Sequence, residues 1–222
     1  MSESLIYGRN PVAEAHRGRR RVLREWRAPE TSSEELTRLA GSPDHQGIVA
    51  EVEPYPYADP TTMLADPEAL VLALDQVQDP RNLGAICRSA EAAGASGVVI
   101  CERRAASVTA AACKASAGAV EHLPIARVRN LADWLAEARA QGAWIYGADA
   151  AAGGSYLDLD LRERVVLVLG GEDKGIRPRV AASCDTLGAI PTAGKVGSLN
   201  VSAAAAVLLF AAVAARAGRS PA

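Results

Sequence analysis

Residues 69–94 read ALVLALDQVQDPRNLGAICRSAEAAG. The apolar run 69–74 ends in Asp75, and an unbroken run of this kind is the pattern of a strand buried on both faces. Asp79 followed by Pro80 reads as a helix start: an acceptor side chain, then a proline at the first helical position. Leu83, Ile86, Cys87 and Ala90 then fall on one apolar stripe at helical spacing. Asn82, in the first turn, and Arg88, two residues past Ile86, lie off that stripe and can face the end of the strand. A buried strand feeding a half-buried helix is the repeating unit of an α/β sheet.

The unit recurs downstream. Short runs rich in Val and Ile stand at 97–101, 123–128, 144–147 and 165–169, with helix-length stretches at 107–117, 130–140 and 200–216. Such alternation predicts a parallel sheet flanked by helices on both faces. Upstream, residues 54–68 (PYPYADPTTMLADPE) hold four prolines and little periodicity, as a linker does. The expected organisation is a small unit at 1–53, a linker at 54–69 and a main unit at 70–222. In the small unit, helices are expected from Asn10 to Ala15 or beyond and at 33–39, with a strand at 47–52.

Composition limits the function classes. The 222 residues are 49% hydrophobic and 23% charged, which excludes a disordered chain, a collagen and a coiled-coil rod. Aromatics make up 4%, too few for a sheet that stacks RNA bases on many rings. The cysteines at 87, 101, 113 and 184 form no CxxC knuckle and the histidines at 16, 45 and 122 are scattered, so no metal is expected. MSESLIYGRN lacks the apolar stretch of a secretion signal, and the thiols read as buried and free in the cytoplasm. The most apolar run, 201–215, is shorter than the ~20 residues of a membrane span and reads as a core helix buried on most sides.

Charge is uneven. Residues 1–69 carry 8 Lys and Arg against 12 Asp and Glu, and residues 70–222 carry 16 against 14. Arg17, Arg19, Arg20, Arg21, Arg24 and Arg27 crowd together, opposed only by Glu25. This cluster fits either a solvated helix face or a set of phosphate contacts.

Two further strand ends are unusual. In 165–178, VVLVLGGEDKGIRP, a strand runs into Gly170, Gly171, Glu172 and Gly175, and glycines there let backbone approach a ligand closely. The GxGxxG fingerprint and the P-loop are both absent, which counts against a dinucleotide-dependent oxidoreductase. In 190–210, IPTAGKVGSLNVSAAAAVLLF, Ile190-Pro191 ends a strand, and a loop with Gly194 and Gly197 carries Lys195. Ser198, Asn200 and Ser202 lead into the apolar helix, with Ser198 or Asn200 as its cap. Ligands of open α/β sheets bind at the carboxyl ends of the strands, which is where all three stretches fall.

In order, DPRNLGAICRSAEAAG, LGGEDKGIRP and IPTAGKVGSLNVSAAAA resemble the three signature motifs of the SpoU (TrmH-type) RNA ribose 2′-O-methyltransferases, over roughly residues 70–216. LIYGRNPVAEA and His45-Gln46-Gly47 resemble the small N-terminal substrate-binding domain of the RlmB branch, which methylates a guanosine ribose in large-subunit ribosomal RNA. The resemblance implies a deep C-terminal trefoil knot, otherwise almost absent from proteins, and a shortened N-terminal α/β domain. It also implies S-adenosylmethionine held by backbone groups of Gly170, Ile190 and Leu199, and a homodimer joined partly through the apolar C-terminal helix. Arg88, Asn82, Glu172, Ser198 and Asn200 match the polar motif positions. By that match Arg88 touches the 2′-oxygen or a neighbouring phosphate; as a guanidinium it stays protonated and serves to stabilise the developing alkoxide. Asn82, Glu172, Ser198 and Asn200 are expected to shape the pocket. Arg81, Arg88, Lys174, Arg177, Arg179 and Lys195 lie in or beside the motifs, a local positive charge suited to RNA. Asp173 departs from the glycine common at that motif position. A transfer-RNA methyltransferase and a catalytically weak RNA-binding or assembly protein are the competing readings.

Overall fold

The computed structural model describes residues 5–172 and 174–217, so Asp173 lies outside the described residues. The chain begins with β1 (Leu5–Tyr7), α1 (Arg9–Arg17), β2 (Val22–Arg27), α2 (Ser33–Ala40) and β3 (Ile48–Val52). It continues through β4 (Leu70–Asp75), α3 (Pro80–Ala92), β5 (Gly97–Cys101), α4 (Ala110–Ala115), β6 (Ile125–Val128), α5 (Leu131–Ala140) and β7 (Trp144–Ala148). The last elements are β8 (Gly154–Ser155), β9 (Val165–Gly170), α6 (Pro178–Ala181), β10 (Thr186–Ala189) and α7 (Val201–Ala217).

Strands β4 to β10 form one seven-stranded sheet in the order β6-β5-β4-β9-β7-β10-β8, every pairing parallel. Period-two alternation splits its side chains between two cores. Leu70, Leu72 and Leu74 face α3, α4 and α7, together with Ile100, Ile125 and Leu167. Val71 and Ala73 face the opposite side, where Leu131, Trp134 and Leu135 of α5 and Val180 of α6 cover Val99, Val166 and Val168. Two covered faces explain why these strands read as continuous apolar runs. The stripe Leu83, Ile86, Cys87 and Ala90 is the buried face of α3, and the Asp79 side chain caps that helix at the Arg81 amide.

The N-terminal unit is a three-stranded antiparallel sheet, ordered β1-β3-β2. One of its faces packs on α2 through Tyr7, Leu36, Ala40 and Val49. The other, with Ile6, Ile48, Ala50 and Val52, merges into the main core beside α1. A unit of some fifty residues buries too little surface to stand comfortably alone, and here its core is continuous with its neighbour's.

Several expectations are corrected. The arginine cluster is no helix face: α1 ends at Arg17, and Arg24 and Arg27 sit on β2. Arg20 is buried, donating from Nε to Glu121 Oε2 at 3.0 Å and from a second nitrogen to Oε1. Charged residues at Arg24, Glu25 and Arg27 hide β2 from a hydrophobic-pattern reading. Residues 54–69 are no free tether. Met63 and Leu64 are buried in the second core, Ala58 bridges Ala126 in parallel, and the Tyr55 hydroxyl donates to Val120 O at 2.9 Å. The stretch 107–117 holds only the shorter α4. Cys87, Cys101 and Cys113 are buried, whereas Cys184 is half-buried. Helix α7 buries one face (Val201, Ala205, Leu208, Leu209, Ala212) and leaves Ala203, Phe210 and Ala214 exposed, so it is covered on fewer sides than its composition predicts.

The Arg20–Glu121 pair joins the N-terminal unit to the sheet domain, and both side chains are 1% exposed. Burial alone would lower the Arg20 guanidinium, but the Glu121 carboxylate raises it above its ordinary value. Glu121→Ala strands that charge and is expected to destabilise the protein by about 3–5 kcal/mol in denaturant titration. Replacing both partners, Arg20→Met with Glu121→Leu, is expected to recover most of the loss; equal losses in the single and double variants would contradict this account.

Candidate active site

Parallel topology brings the ends of β7, β9 and β10 to one edge, and a cavity of about 550 Å³ opens there. Its size is that of a drug-sized ligand site. Ala148, Asp149 and Ala150 stand at the end of β7, residues 169–172 and 174–176 at the end of β9 and in the loop beyond it, and Gly188, Ile190 and Thr192 at the end of β10. The segment 197–201 and Ala204 of α7 close the remaining wall.

The wall after β9 is a loop folded onto itself. Gly171 bridges Gly175, and the Gly175 amide donates to Gly171 O at 3.0 Å. A Cβ on Gly170 would stand 1.9 Å from the Gly175 carbonyl carbon, and one on Gly171 would stand 2.6 Å from Gln76 O. Only glycine permits either approach. The glycines noted in the sequence thus serve loop closure, which exposes backbone along the cavity.

The loop is fastened at both ends to Asp75, a fully buried carboxylate at the tip of β4. The Gly171 amide donates to Asp75 O at 2.9 Å. The Arg177 amide donates to Asp75 Oδ2 at 2.8 Å, and Arg177 Nε donates to Oδ1 at 2.8 Å. The Asp75 carboxylate in turn raises the Arg177 guanidinium above its ordinary value. Sequence reading treated Asp75 only as the end of a strand and counted Arg177 among the positive charges suited to RNA, whereas its guanidinium is paired with Asp75. The available signal was a charged residue terminating a wholly apolar run.

A polar relay joins the three motif stretches. Asn82 Nδ2 donates to Glu172 Oε1, and Asn200 Nδ2 donates to Asn82 Oδ1 at 3.2 Å. Asn200 Oδ1 accepts from the Ser202 amide at 2.8 Å, so Asn200 also caps α7. Gly170, Glu172, Ile190, Ser198, Leu199 and Asn200 all line the cavity, and Asn82 reaches it through Glu172 and Asn200. Arg88 does not join this relay. It is exposed on α3, with no hydrogen bond or ion pair to any described residue. Asp149 and Thr192 also line the cavity, and the sequence reading missed both. Asp149 directly follows β7, much as Asp75 ends β4.

The donor set suits an organic cofactor with polar ends: backbone along the glycine loop, carboxylates at Asp149 and Glu172, hydroxyls at Thr192 and Ser198, and apolar Ile190 and Leu199. Among the described residues no group of three or more His, Cys, Asp or Glu is placed to hold a metal ion, and no helix is long and apolar enough to cross a membrane. The His45-Gln46-Gly47 turn lies elsewhere. Gln46 has φ +55°, its Oε1 accepts from the Arg9 amide at 3.1 Å, and it thereby ties β3 to the start of α1.

Comparison with known proteins places this architecture. Residues 69–210 match the model of the SpoU rRNA methylase family, and residues 29–58 match the RNA 2′-O ribose methyltransferase substrate-binding family. YacO of Bacillus subtilis (strain 168), whose name places it in the TrmH family of tRNA/rRNA methyltransferases, is 37% identical over 92% of this chain and 93% of its own. Mycobacterial relatives are longer. The chain is 45% identical to an uncharacterized tRNA/rRNA methyltransferase of Mycobacterium avium (strain 104) but spans only 58% of that protein's length. The AdoMet-bound rRNA methyltransferase from Sinorhizobium meliloti superposes with a TM-score of 0.85 at 26% identity, over 98% of this chain and 88% of that one. The SpoU methyltransferase AviRb from Streptomyces viridochromogenes, in complex with AdoMet, does so with 0.81 at 27%, over 97% and 91%. A family match over most of the chain, with its three motifs gathered at one cavity, shows that the chain belongs to the SpoU rRNA methylase family.

Proposed function

We propose that this S-adenosylmethionine-dependent RNA methyltransferase modifies the ribose 2′-hydroxyl of a guanosine in large-subunit (23S) ribosomal RNA. The observation that carries the reading is convergence. Three stretches, around 82, 170–176 and 190–201, meet at one cavity although they lie far apart in the chain. The match of residues 29–58 to a substrate-binding family supports an RNA substrate, and the ribosomal class follows the resemblance of the N-terminal unit to the RlmB branch. Transfer RNA is the second reading, favoured by relatives whose names join tRNA and rRNA.

In this reading, backbone groups of Gly170, Ile190 and Leu199 hold the methyl donor, and Glu172, Ser198, Asn200 and Asn82 fix the pocket's shape. The bound donor supplies an electrophilic methyl on a positively charged sulfur, so the protein's task is alignment and charge stabilisation. Arg88 presents an unpaired guanidinium to the acceptor. It stabilises negative charge growing on the 2′-oxygen, while the hydroxyl proton passes to a substrate phosphate or to water.

The reading keeps residues 1–53 as the substrate-binding unit, 54–69 as the connection and 70–222 as the catalytic domain, acting in the cytoplasm. It also includes the trefoil knot. Support for the knot is that β10 lies beyond β7 as seen from β9, while residues 197–201 return to the cavity beside β9. The homodimer is supported by α7. Ala203, Phe210 and Ala214 are exposed at helical spacing, beside half-buried Val207 and Val213, a stripe suited to a partner helix.

The direct test is transfer of labelled methyl from S-adenosylmethionine to total RNA of a strain lacking the gene, followed by size separation and nucleoside analysis. Label is expected in large-subunit RNA as 2′-O-methylguanosine; label in transfer RNA would reject the ribosomal substrate. Gly170→Ala is expected to weaken donor binding by at least about tenfold, or about 1.4 kcal/mol, in calorimetric titration. Arg88→Ala is expected to lower kcat by about 10²–10³-fold with donor affinity unchanged; near-normal turnover would remove Arg88 from the chemistry. Phe210→Glu is expected to convert a sedimenting dimer to monomer, and an unaffected dimer would place the interface elsewhere.

A further inference from the structure

Beyond the cavity, the same edge of the sheet carries a second feature. On the far side of β4 from β9 the edge continues through the ends of β5 and β6, and each of these strands runs out into arginine. Arg103 and Arg104 follow β5, and Arg129 follows β6. Cys101 and Val128 are paired across the two strands, so these residues leave the sheet side by side. Adjacent strands lie about 4.8 Å apart, and the row therefore steps outward from β4 by about that distance per strand.

These guanidiniums are not taken up by the fold. Arg103 and Arg104 are exposed and have no hydrogen bond or ion pair to any described residue. Arg129 is 92% exposed and has only a loose contact to Glu102, at 3.6 Å. Three arginines thus face one glutamate, in a chain whose net charge is −2.

Two observations show the row is built into the site's framework. First, Arg104 has φ +57°, a left-handed conformation that L-residues with long side chains rarely adopt. A strained non-glycine residue at a loop tip points to a function for its side chain. Second, the loop is anchored to the motif region: the Ala106 amide donates to Val77 O at 2.8 Å, and Arg177, which holds the cavity loop, reaches Cys101 Sγ at 3.9 Å. The arginine loop is held against the segment linking β4 to α3, on the opposite side of β4 from the cavity.

We infer that Arg103, Arg104 and Arg129 form a phosphate-binding row that holds the RNA strand flanking the target nucleotide, laid across the ends of β5 and β6. The inference rests on the RNA-methyltransferase reading above and extends it by giving the direction in which the substrate leaves the cavity. Contacts to phosphate fix register without reading sequence. The row therefore places the target ribose, and the base is chosen elsewhere.

The test compares Arg103→Ala/Arg104→Ala and Arg103→Lys/Arg104→Lys with the unaltered protein. A fluorescein-labelled single-stranded RNA oligonucleotide is titrated across a series of salt concentrations, and steady-state methyl transfer is measured on RNA from the strain lacking the gene. For the alanine pair, the slope of log affinity against log salt is expected to shrink by about 0.7 for each phosphate no longer neutralised. The KM for RNA is expected to rise about tenfold or more, with kcat and donor affinity unchanged, and the lysine pair is expected to recover most of the binding. An unchanged slope and KM would overturn the proposal, as would a loss confined to kcat or donor binding. Unaltered RNA affinity with lost association to ribosomal particles would assign the row to a protein partner and also overturn it. If the unaltered protein methylates no RNA, the functional reading fails, yet the salt slopes still decide whether the row binds phosphate.

Discussion

Asp75 is a carboxylate with no access to water, and an isolated charge in that position is prohibitively costly. It is stable there because Arg177 meets it with a backbone amide and a guanidinium, while the Asp75 carbonyl accepts from Gly171. The pairing closes the loop 171–177 over the end of β9. Once that loop is closed, Gly170 and Gly171 have no room for a side chain, Glu172 is brought to Asn82, and Asn82 reaches Asn200. The cavity is a consequence of this chain of constraints, which begins in the core at the tip of β4.

Polar groups elsewhere follow the same economy. Arg20 and Glu121 satisfy each other in the dry contact between the N-terminal unit and the sheet domain. Tyr55 is half-buried, and burial pushes its phenol well above the usual range, yet its single hydroxyl hydrogen is shared between the carbonyls of Val120 and Leu123. The structure leaves no described buried side-chain nitrogen or oxygen without a hydrogen-bond partner. Against that background the unpaired, exposed arginines at 88, 103 and 104 stand apart. Exposed guanidiniums without a partner are free to meet an anion.

Packing of the small unit against the large one bears on substrate handling. With Ile6, Ile48 and Val52 in the same core as Leu72 and Ile86, the N-terminal sheet is held by burial rather than by a tether. The proline-rich stretch reinforces this, since Met63 and Leu64 seal one face of the main sheet and Ala58 extends its edge. An RNA gripped by the N-terminal unit would therefore meet the cavity at an angle set by side-chain packing. Helix α7 is the opposite case, with an apolar stripe that no described residue covers.

Local sequence was enough for the α/β class, because strands buried on both faces must read as apolar runs and the helix between them must carry one apolar stripe. The runs at 69–74, 97–101 and 165–169 show this directly, as does the Asp79-Pro80 helix start. Gly170, Glu172, Ile190, Ser198, Leu199 and Asn200 were singled out only by the resemblance of their stretches to family motifs, and all six line the cavity. What stayed hidden depended on partners distant in sequence. The strand at 22–27 is held by pairing with β3, and its charged residues mask its pattern. Burial of Arg20 depends on Glu121, 101 positions away. The role of Asp75 depends on Arg177, 102 positions away, and the exposed face of α7 depends on which neighbours α3 and the sheet leave room for. Local periodicity fixes which elements form, but only tertiary contact decides which charges are neutralised inside and which are left facing a ligand.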